Sequence, residues 1–311
     1  SEGKGLGNLF LDDLNRADAL VHVIDVSGST NGFGELVAPG TYDPADDIRL
    51  LEIELDQWYV RVLKKGWEKF ARGVKQEGAN IVFSLAKRLS GLRVTEDIAK
   101  NVLEALDLDQ DILSWDDAVL LRLASAFRKR TKPMVIAANK IDLPSAKKYY
   151  ERLVEMYPEY RIFPVSADAE LALKEAAKKG LVRYAPGSDG FQVTGTLAES
   201  QQKALAFIRE QVLAVYGNTG VQNVLDAVVF DVLKMIAVFP GGVNKLEDQY
   251  GRVLPDCFLM PHGSTAVDFA FQVHTDIGNA FIRAIDVRTK RAVGKEYVLR
   301  HRDVVEIVTR K

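Results

Sequence analysis

Three short apolar runs, each closed by a polar or turn-forming residue, constrain this chain more than anything else in it. Leu20-Val-His-Val-Ile-Asp25 leads into Ser27-Gly-Ser-Thr-Asn-Gly32, Pro133-Met-Val-Ile-Ala-Ala138 leads into Asn139, and Arg161-Ile-Phe-Pro-Val-Ser166 ends on a serine. Runs of this length between turn residues read as buried strands of a parallel sheet. Helical patterns flank them at Leu9 to Arg16, Ser145 to Met156 and Ala169 to Lys179. Strand and helix alternating across short loops predict a doubly wound α/β sheet.

The gap between the first and second runs is too long for one crossover helix. Asp46 or Asp47 can cap a helix whose apolar residues Ile48, Leu51, Leu55, Trp58 and Val62 recur at spacings of three and four. A second helix is expected from Thr95 to Leu106. A third is expected from Ser114, where Ser-Trp-Asp-Asp sets an acid three residues after the cap. Residues 31–125 therefore read as a helical insertion, and residues 1–30 with 126–187 as the α/β domain. Beyond the turn-rich Ala185-Pro-Gly-Ser-Asp-Gly190, helical stretches at Leu197 to Tyr216 and Val221 to Lys234 make residues 188–235 a helical connector. From residue 236 the pattern changes. β-type runs at Met235 to Phe239, Cys257 to Met260, Phe281 to Val287 and Val304 to Val308 surround one helix near Thr265 to Val273. Four strands and one helix predict a β-grasp, ubiquitin-like module over 236–311.

Composition excludes several classes. With 47% hydrophobic and 27% charged residues in 311, the chain is neither disordered nor fibrous. A formal charge of −2 argues against a general polyanion binder. A single cysteine, Cys257, rules out an intramolecular disulfide framework and a cysteine zinc site, and suits a reducing, cytoplasmic compartment. No run is long and apolar enough to span a membrane, and no signal peptide is visible. The first residue is Ser1, inside a glycine-rich stretch, so the start is expected to be cut.

Asn139-Lys-Ile-Asp142 closes the second run, at the strand end where open α/β sheets bind ligands. A short carboxylate there can accept two hydrogen bonds from the N1–H and exocyclic N2 of guanine, a donor pair that adenine lacks. The Asn139 amide can donate to the base or tie loops together, and the Lys140 stem can lie across the ring. The bland reading of the same four residues is a solvated surface turn. One strand later, Ser166-Ala-Asp168 offers backbone N–H groups to the base carbonyl; its bland reading is a helix N-cap. Asn-Lys-x-Asp followed by Ser-Ala-x on the next strand is the ordered pair of guanine motifs of P-loop GTPases.

Gly3-Lys-Gly-Leu-Gly-Asn-Leu-Phe-Leu11, followed by Asp13-Leu-Asn-Arg-Ala-Asp-Ala-Leu20, resembles the Obg superfamily of GTPases, in which such glycines belong to the switch II loop. The C-terminal residues, from Asp256-Cys-Phe-Leu-Met through Gly263-Ser-Thr to Asp303-Val-Val-Glu-Ile-Val308, resemble a TGS domain. Together with the helical insertion, they make the chain similar to the YchF-type, Obg-like subgroup. The resemblance implies a P-loop GTPase sheet that binds GTP or GDP with Mg²⁺. Asn139, Lys140, Asp142, Ser166, Ala167 and Asp168 would hold the nucleotide, and Gly3, Gly5 and Gly7 would respond to the γ-phosphate. Many YchF members end the first motif in Glu and use ATP; Asp142 favours GTP here, with an ATPase as the alternative. No Gly-x-x-x-x-Gly-Lys-Ser/Thr sequence and no Asp-x-Pro-Gly occur in these residues. The economical expectation is a preceding segment that carries the phosphate and Mg²⁺ ligands. Neither a catalytic residue nor a metal ligand can be named among the residues present.

Residues 283–302 carry seven cations against two acids. Arg288, Lys290, Arg291, Arg300 and Arg302 form a candidate RNA or ribosome contact, with Tyr297 or His301 available to stack. The bland reading is a solvated hairpin. TGS domains accompany ribosome-linked proteins, which favours contact with structured RNA over a DNA sequence reader. His22 is expected to be a satisfied core histidine, and Cys257 a core residue of a strand. Trp58, Trp67 and Trp115 read as packing, and His262, His274 and His301 lack metal-ligand spacing. Two functions follow: a GTP-hydrolysing switch on the translation apparatus, or a non-catalytic RNA-binding module on an α/β scaffold.

Overall fold

The computed structural model describes residues 14, 16–108, 111–247 and 250–310. Gly3, Gly5, Gly7 and most of the helix expected at Leu9 to Arg16 lie outside them. The chain divides into two compact units, Ser1–Leu225 and Asp226–Lys311.

The first unit is built on strands β1 (Leu20–Asp25), β2 (Met134–Asn139) and β3 (Arg161–Pro164), all parallel, with β2 in the centre. In β2 Met134 to Ala138 are buried, as a central parallel strand requires. β1 departs from the expectation of a strand covered on both faces. Leu20 and Ile24 are buried, but Val21 and Val23 are 41% and 61% exposed. His22 is half-buried, and its Nδ1 has no hydrogen-bond partner, so it is not the satisfied core histidine expected. Burial lowers its imidazole from 6.5 to about 4, which keeps it neutral at pH 7.

Between β1 and β2 lie helices Ala45–Lys64, Trp67–Glu77, Ile81–Arg88, Glu96–Leu106 and Asp117–Thr131. Asp46 and Asp47 do not cap the first; it starts after Pro44, and both acids lie in its first turn, where they suit the positive end of the helix dipole. The fourth occupies the stretch expected from Thr95, with Thr95 itself as its cap, accepting a hydrogen bond from the Ile98 N–H. Ser114 caps nothing. The fifth helix begins later, because the side chain of Asp116 takes the Val119 N–H. Trp67–Glu77 and Ile81–Arg88, unread in the sequence, are separated by Gly78 in the left-handed conformation. The Trp67 and Trp115 rings stack at 5.9 Å in the core of this helical part. Its joint with the sheet is Arg128, 1% exposed, which donates to Asp56 at 2.6 Å, Glu52 at 3.3 Å and the Tyr160 hydroxyl at 3.5 Å.

After β3, helix Ala167–Lys178 leads to the two-residue strands β4 (Val182–Arg183) and β5 (Gln192–Val193). Helix Glu199–Phe207 then widens into a π-type turn over Ile208–Leu213. That register puts Ile208, Val212 and Leu213 on the buried side with Leu205, where a regular helix was expected.

The second unit contains β6 (Met235–Pro240), β7 (Phe258–Pro261), helix Ala266–Val273, a short helix Thr275–Asn279, β8 (Phe281–Asp286), β9 (Arg291–Val293) and β10 (Asp303–Thr309). The sheet runs β7-β6-β10-β8-β9, and β6 and β10 pair in parallel. Ala266 and Phe269 pack on Ile236, Val238, Met260, Ala284 and Val305, a β-grasp with five strands instead of the four expected. The extra strand is three residues long, too short to leave a pattern. Cys257 precedes β7 and is exposed, not a core residue. Residues 227–234 belong to this unit, with the Phe230 ring 4.8 Å from His301. Among the described residues no helix is long and apolar enough to cross a membrane.

His22 gives the first unit a defined acid sensitivity. Its folded value of about 4 lies below the unfolded value of 6.5, so the unfolded chain binds the extra proton. Stability should be constant above that window and fall as pH drops through it. Denaturant unfolding of His22→Leu should show a shallower acid slope than the parent; equal slopes would show that His22 is not the group responsible.

Candidate functional site

The register of β1 and β2 sets Asp25 opposite Asn139, and the turns that follow bring their polar side chains together. Asp25 Oδ1 accepts from the Ser27 N–H at 3.0 Å and the Ser27 hydroxyl at 2.5 Å. Its Oδ2 accepts from Ser29 Oγ at 2.7 Å, Thr30 Oγ1 at 2.7 Å and Lys140 Nζ at 2.8 Å. Asp25 and Lys140 are 10% and 34% exposed. Burial by itself raises the Asp25 carboxyl, but the bonds from Lys140, Ser27, Thr30 and Ser29 outweigh it and hold the group well below the usual carboxylate range. Asp25 is therefore ionised and fully engaged, which excludes it as a general base.

Lys140 adopts a left-handed φ of 64°, and the turn it makes is closed by hydrogen bonds from the Ile141 N–H to Val165 O and from the Leu143 N–H to Lys140 O. Of the two uses open to Asn139, the structure has the second. Its Oδ1 accepts the Ala167 N–H at 3.0 Å and ties the β2 loop to the β3 loop. Asp142 is half-buried and has no hydrogen-bond or ion-pair partner among the described residues. Ser166 is buried and caps the next helix through the Ala169 N–H at 3.4 Å; Ala167 and Asp168 are exposed. Asn139, Lys140, Asp142, Ser166, Ala167 and Asp168 thus gather at one end of the sheet.

A second support comes from far along the chain. The Ser166 N–H donates to Thr219 O at 2.9 Å. Glu170 accepts from the Thr219 hydroxyl at 2.7 Å and the Tyr184 hydroxyl at 2.6 Å. Burial and the bond to Glu170 push Tyr184 up to about 12. Gly220, at φ 81°, lies so close to β3 that a Cβ would sit 1.9 Å from Pro164 O. Neither Asp25 with its hydroxyl ring nor Thr219 and Gly220 was found from sequence. The serines and threonine after Asp25 were the available signal for the first. Nothing local marks the second.

In the second unit Arg288, Lys290, Arg291, Arg300 and Arg302 are all exposed. The Arg288 guanidinium donates to Arg302 O at 3.1 Å, which brings the 288–291 turn beside the 300–302 turn. His301 is exposed, its Nδ1 accepts the Ala237 N–H at 3.2 Å and its ring meets Phe230 edge-on. Tyr297 packs against the core and is half-buried. Among the described residues no group of three or more His, Cys, Asp or Glu side chains could hold a metal ion.

Residues 137–242 match the family described as the Obg-like GTPase YGR210-like, G4 motif-containing domain, and residues 248–309 match the TGS domain. A GTP-binding protein of Methanocaldococcus jannaschii is 43% identical over 99% of this chain and 77% of its own length. The chain belongs to the YchF/Obg-like family of GTP-binding proteins. A solved GTP-binding protein from Pyrococcus horikoshii superposes with a TM-score of 0.72 at 43% identity, covering 96% of this chain and 81% of that one. The protein named ribosome-binding ATPase YchF in Escherichia coli O157:H7 is 24% identical over 99% of this chain and 77% of its length. For this YchF/Obg-like chain the α/β class, the P-loop GTPase sheet and the β-grasp TGS domain are thereby established.

Gly217 and Gly220 have the same φ of 81°, but no neighbour lies within 4 Å of a Cβ on Gly217. Gly220→Ala should therefore cost more than Gly217→Ala, by about 1–3 kcal/mol for the forced approach to Pro164. Urea unfolding of both variants measures the difference; equal costs would mean that Gly220 does not clamp the β3 loop.

Proposed function

We propose that this chain reads the guanine base of GTP and GDP, and that the protein hydrolyses GTP to GDP and phosphate as a switch. The observation that carries the reading is the state of Asp142. Asn139, Lys140 and Ser166 are each engaged by the scaffold, whereas the Asp142 carboxylate is unpartnered at the strand ends that bind ligands in open α/β sheets. Two lone pairs on a fixed carboxylate match the two adjacent N–H donors of guanine. Exposed Ala167 and Asp168, with Ser166, would close over the base.

Hydrolysis would be in-line attack of water on the γ-phosphate. The 311 residues contain no Gly-x-x-x-x-Gly-Lys-Ser/Thr sequence, so this step is proposed only where such a segment is supplied. Mg²⁺, bound there, would neutralise charge on the phosphates.

Asp142→Asn should lower the affinity for GDP at least tenfold and raise that for xanthosine diphosphate, read by NMR titration, which reports weak binding directly. Unchanged binding of both would refute guanine reading, and a parent chain preferring ADP would make it an ATP-using relative.

The second element is association with the ribosome or structured RNA through the TGS domain. It is supported by the juxtaposed turns of Arg288 and Arg302 and by the name of the Escherichia coli relative. Charge reversal at Arg288, Lys290 and Arg291 should weaken co-sedimentation with ribosomes and flatten its salt dependence. Unaltered sedimentation would remove the patch and leave the switch without this partner.

A further inference from the structure

We infer that Asp25 is a positioning residue for base recognition, acting through Lys140 on the turn that carries Asp142; this rests on the guanine reading above. Each Asp25 oxygen is occupied by donors from its own chain, so the carboxylate has no remaining role towards a ligand. What it can do is hold Lys140. The ammonium is gripped by Asp25 Oδ2 at 2.8 Å, Thr30 Oγ1 at 3.1 Å and Ser29 Oγ at 3.3 Å. The lysine stem thereby spans the gap from the end of β2 to the loop after β1.

Lys140 is a non-glycine residue in the left-handed region, a conformation that is unfavourable unless its surroundings hold it. The anchored ammonium is such a restraint, and it acts at the first residue of the Lys140–Leu143 turn. With Lys140 fixed, Ile141 bonds to Val165 and Asp142 occupies one position between the β2 and β3 loops. Preorganising that carboxylate strengthens binding, because less ordering has to accompany the arrival of the base.

The hydroxyl donors are part of the device. They come from Ser27, Ser29 and Thr30, held in a tight turn by Gly28, whose φ is 63° and whose missing Cβ would sit 2.3 Å from Tyr42 O. Ser145, just past Asp142, donates its hydroxyl to Ser27 O at 2.8 Å. The ring around Asp25 and the turn around Asp142 are thus linked at two points.

NMR titration of the full chain with GDP tests this with Asp25→Asn, Lys140→Met and the double variant. Each single change should weaken GDP about tenfold, the loss of a charge-assisted bond. The double variant should bind no more weakly than Lys140→Met, because the two residues act as one unit. Parent-like affinity in Asp25→Asn, with only a lowered melting temperature, would make Asp25 purely structural and overturn the inference. Additive losses would overturn it as well. A measurement on the unmodified protein covers the case in which the variants do not fold. Lys140 should be acylated far more slowly than the exposed Lys148, and equal rates would show that the pairing is absent. If the parent binds no guanine nucleotide, the guanine reading fails instead, and the acylation rates still decide whether Asp25 holds Lys140.

Discussion

The alignment of β1 with β2 is the constraint on which the site depends. Parallel neighbours lie about 4.8 Å apart and advance about 3.3 Å per residue. A two-residue slip would keep every side chain on its proper face yet carry Asp25 roughly 6.6 Å along the strand, out of reach of Lys140. Met134, Val135, Ile136, Ala137 and Ala138 are buried and fix the central strand. The ladder continues past the strand ends, with the Val26 N–H bonded to Asn139 O at 3.0 Å. Only then does the chain turn, at Gly28 on one side and Lys140 on the other. The site is thus a consequence of register: two turns begin at the same level, and their polar side chains pair across it.

The same loops root the helical part of the first unit. Tyr149 donates to Gly40 O at 2.8 Å and Tyr157 to Ala45 O at 3.3 Å, and Arg152 pairs with Asp43. Tyr149 and Arg152 reach back from helix Ala146–Met156, which follows the Asn139–Asp142 turn, and Tyr157 from the residue just after it, to the segment entering helix Ala45–Lys64. Farther from the site, Arg128 joins that helix to Asp117–Thr131 and to Tyr160. Desolvating a guanidinium costs several kcal/mol, and two carboxylates and a hydroxyl offset it only in this geometry. Such a joint is specific before it is stabilising. It gives the helices one seating on the sheet, so a displacement of the Ser27–Thr30 loop has a stiff element to act on.

What could be read in the sequence follows the range of the interactions. The strands, the β-grasp helix, the helix from Thr95 and the order of Asn139, Asp142 and Ser166 are local patterns, and their places were legible. Asp25 meets Lys140 across 115 residues, and no periodicity encodes that meeting. The Ser166 to Thr219 bond also joins residues far apart in the chain. Where a local signal failed, a neighbour had outcompeted it: Asp116 displaced Ser114 as a cap. β1 read as a doubly covered strand because its apolar run is continuous, yet Val21 and Val23 are exposed. A run of apolar residues reports affinity for a core without saying which neighbours supply it.

On the proposed function, the choice between guanine and adenine rests on very few atoms. Asn139, Lys140 and Ser166 are consumed in holding the loops, so they shape the site and cannot discriminate by their own side-chain acceptors. Asp142 alone among these retains both carboxylate oxygens. Guanine presents two adjacent donors, which such a group accepts without penalty. Adenine presents a ring nitrogen acceptor beside its amino donor, which would leave one oxygen facing a lone pair. Mismatches of this kind cost far more than a lost contact, because a desolvated carboxylate is left unpaired. On that proposal discrimination depends on keeping Asp142 from moving to relieve the mismatch, and the anchored Lys140 would supply rigidity at the first residue of its turn.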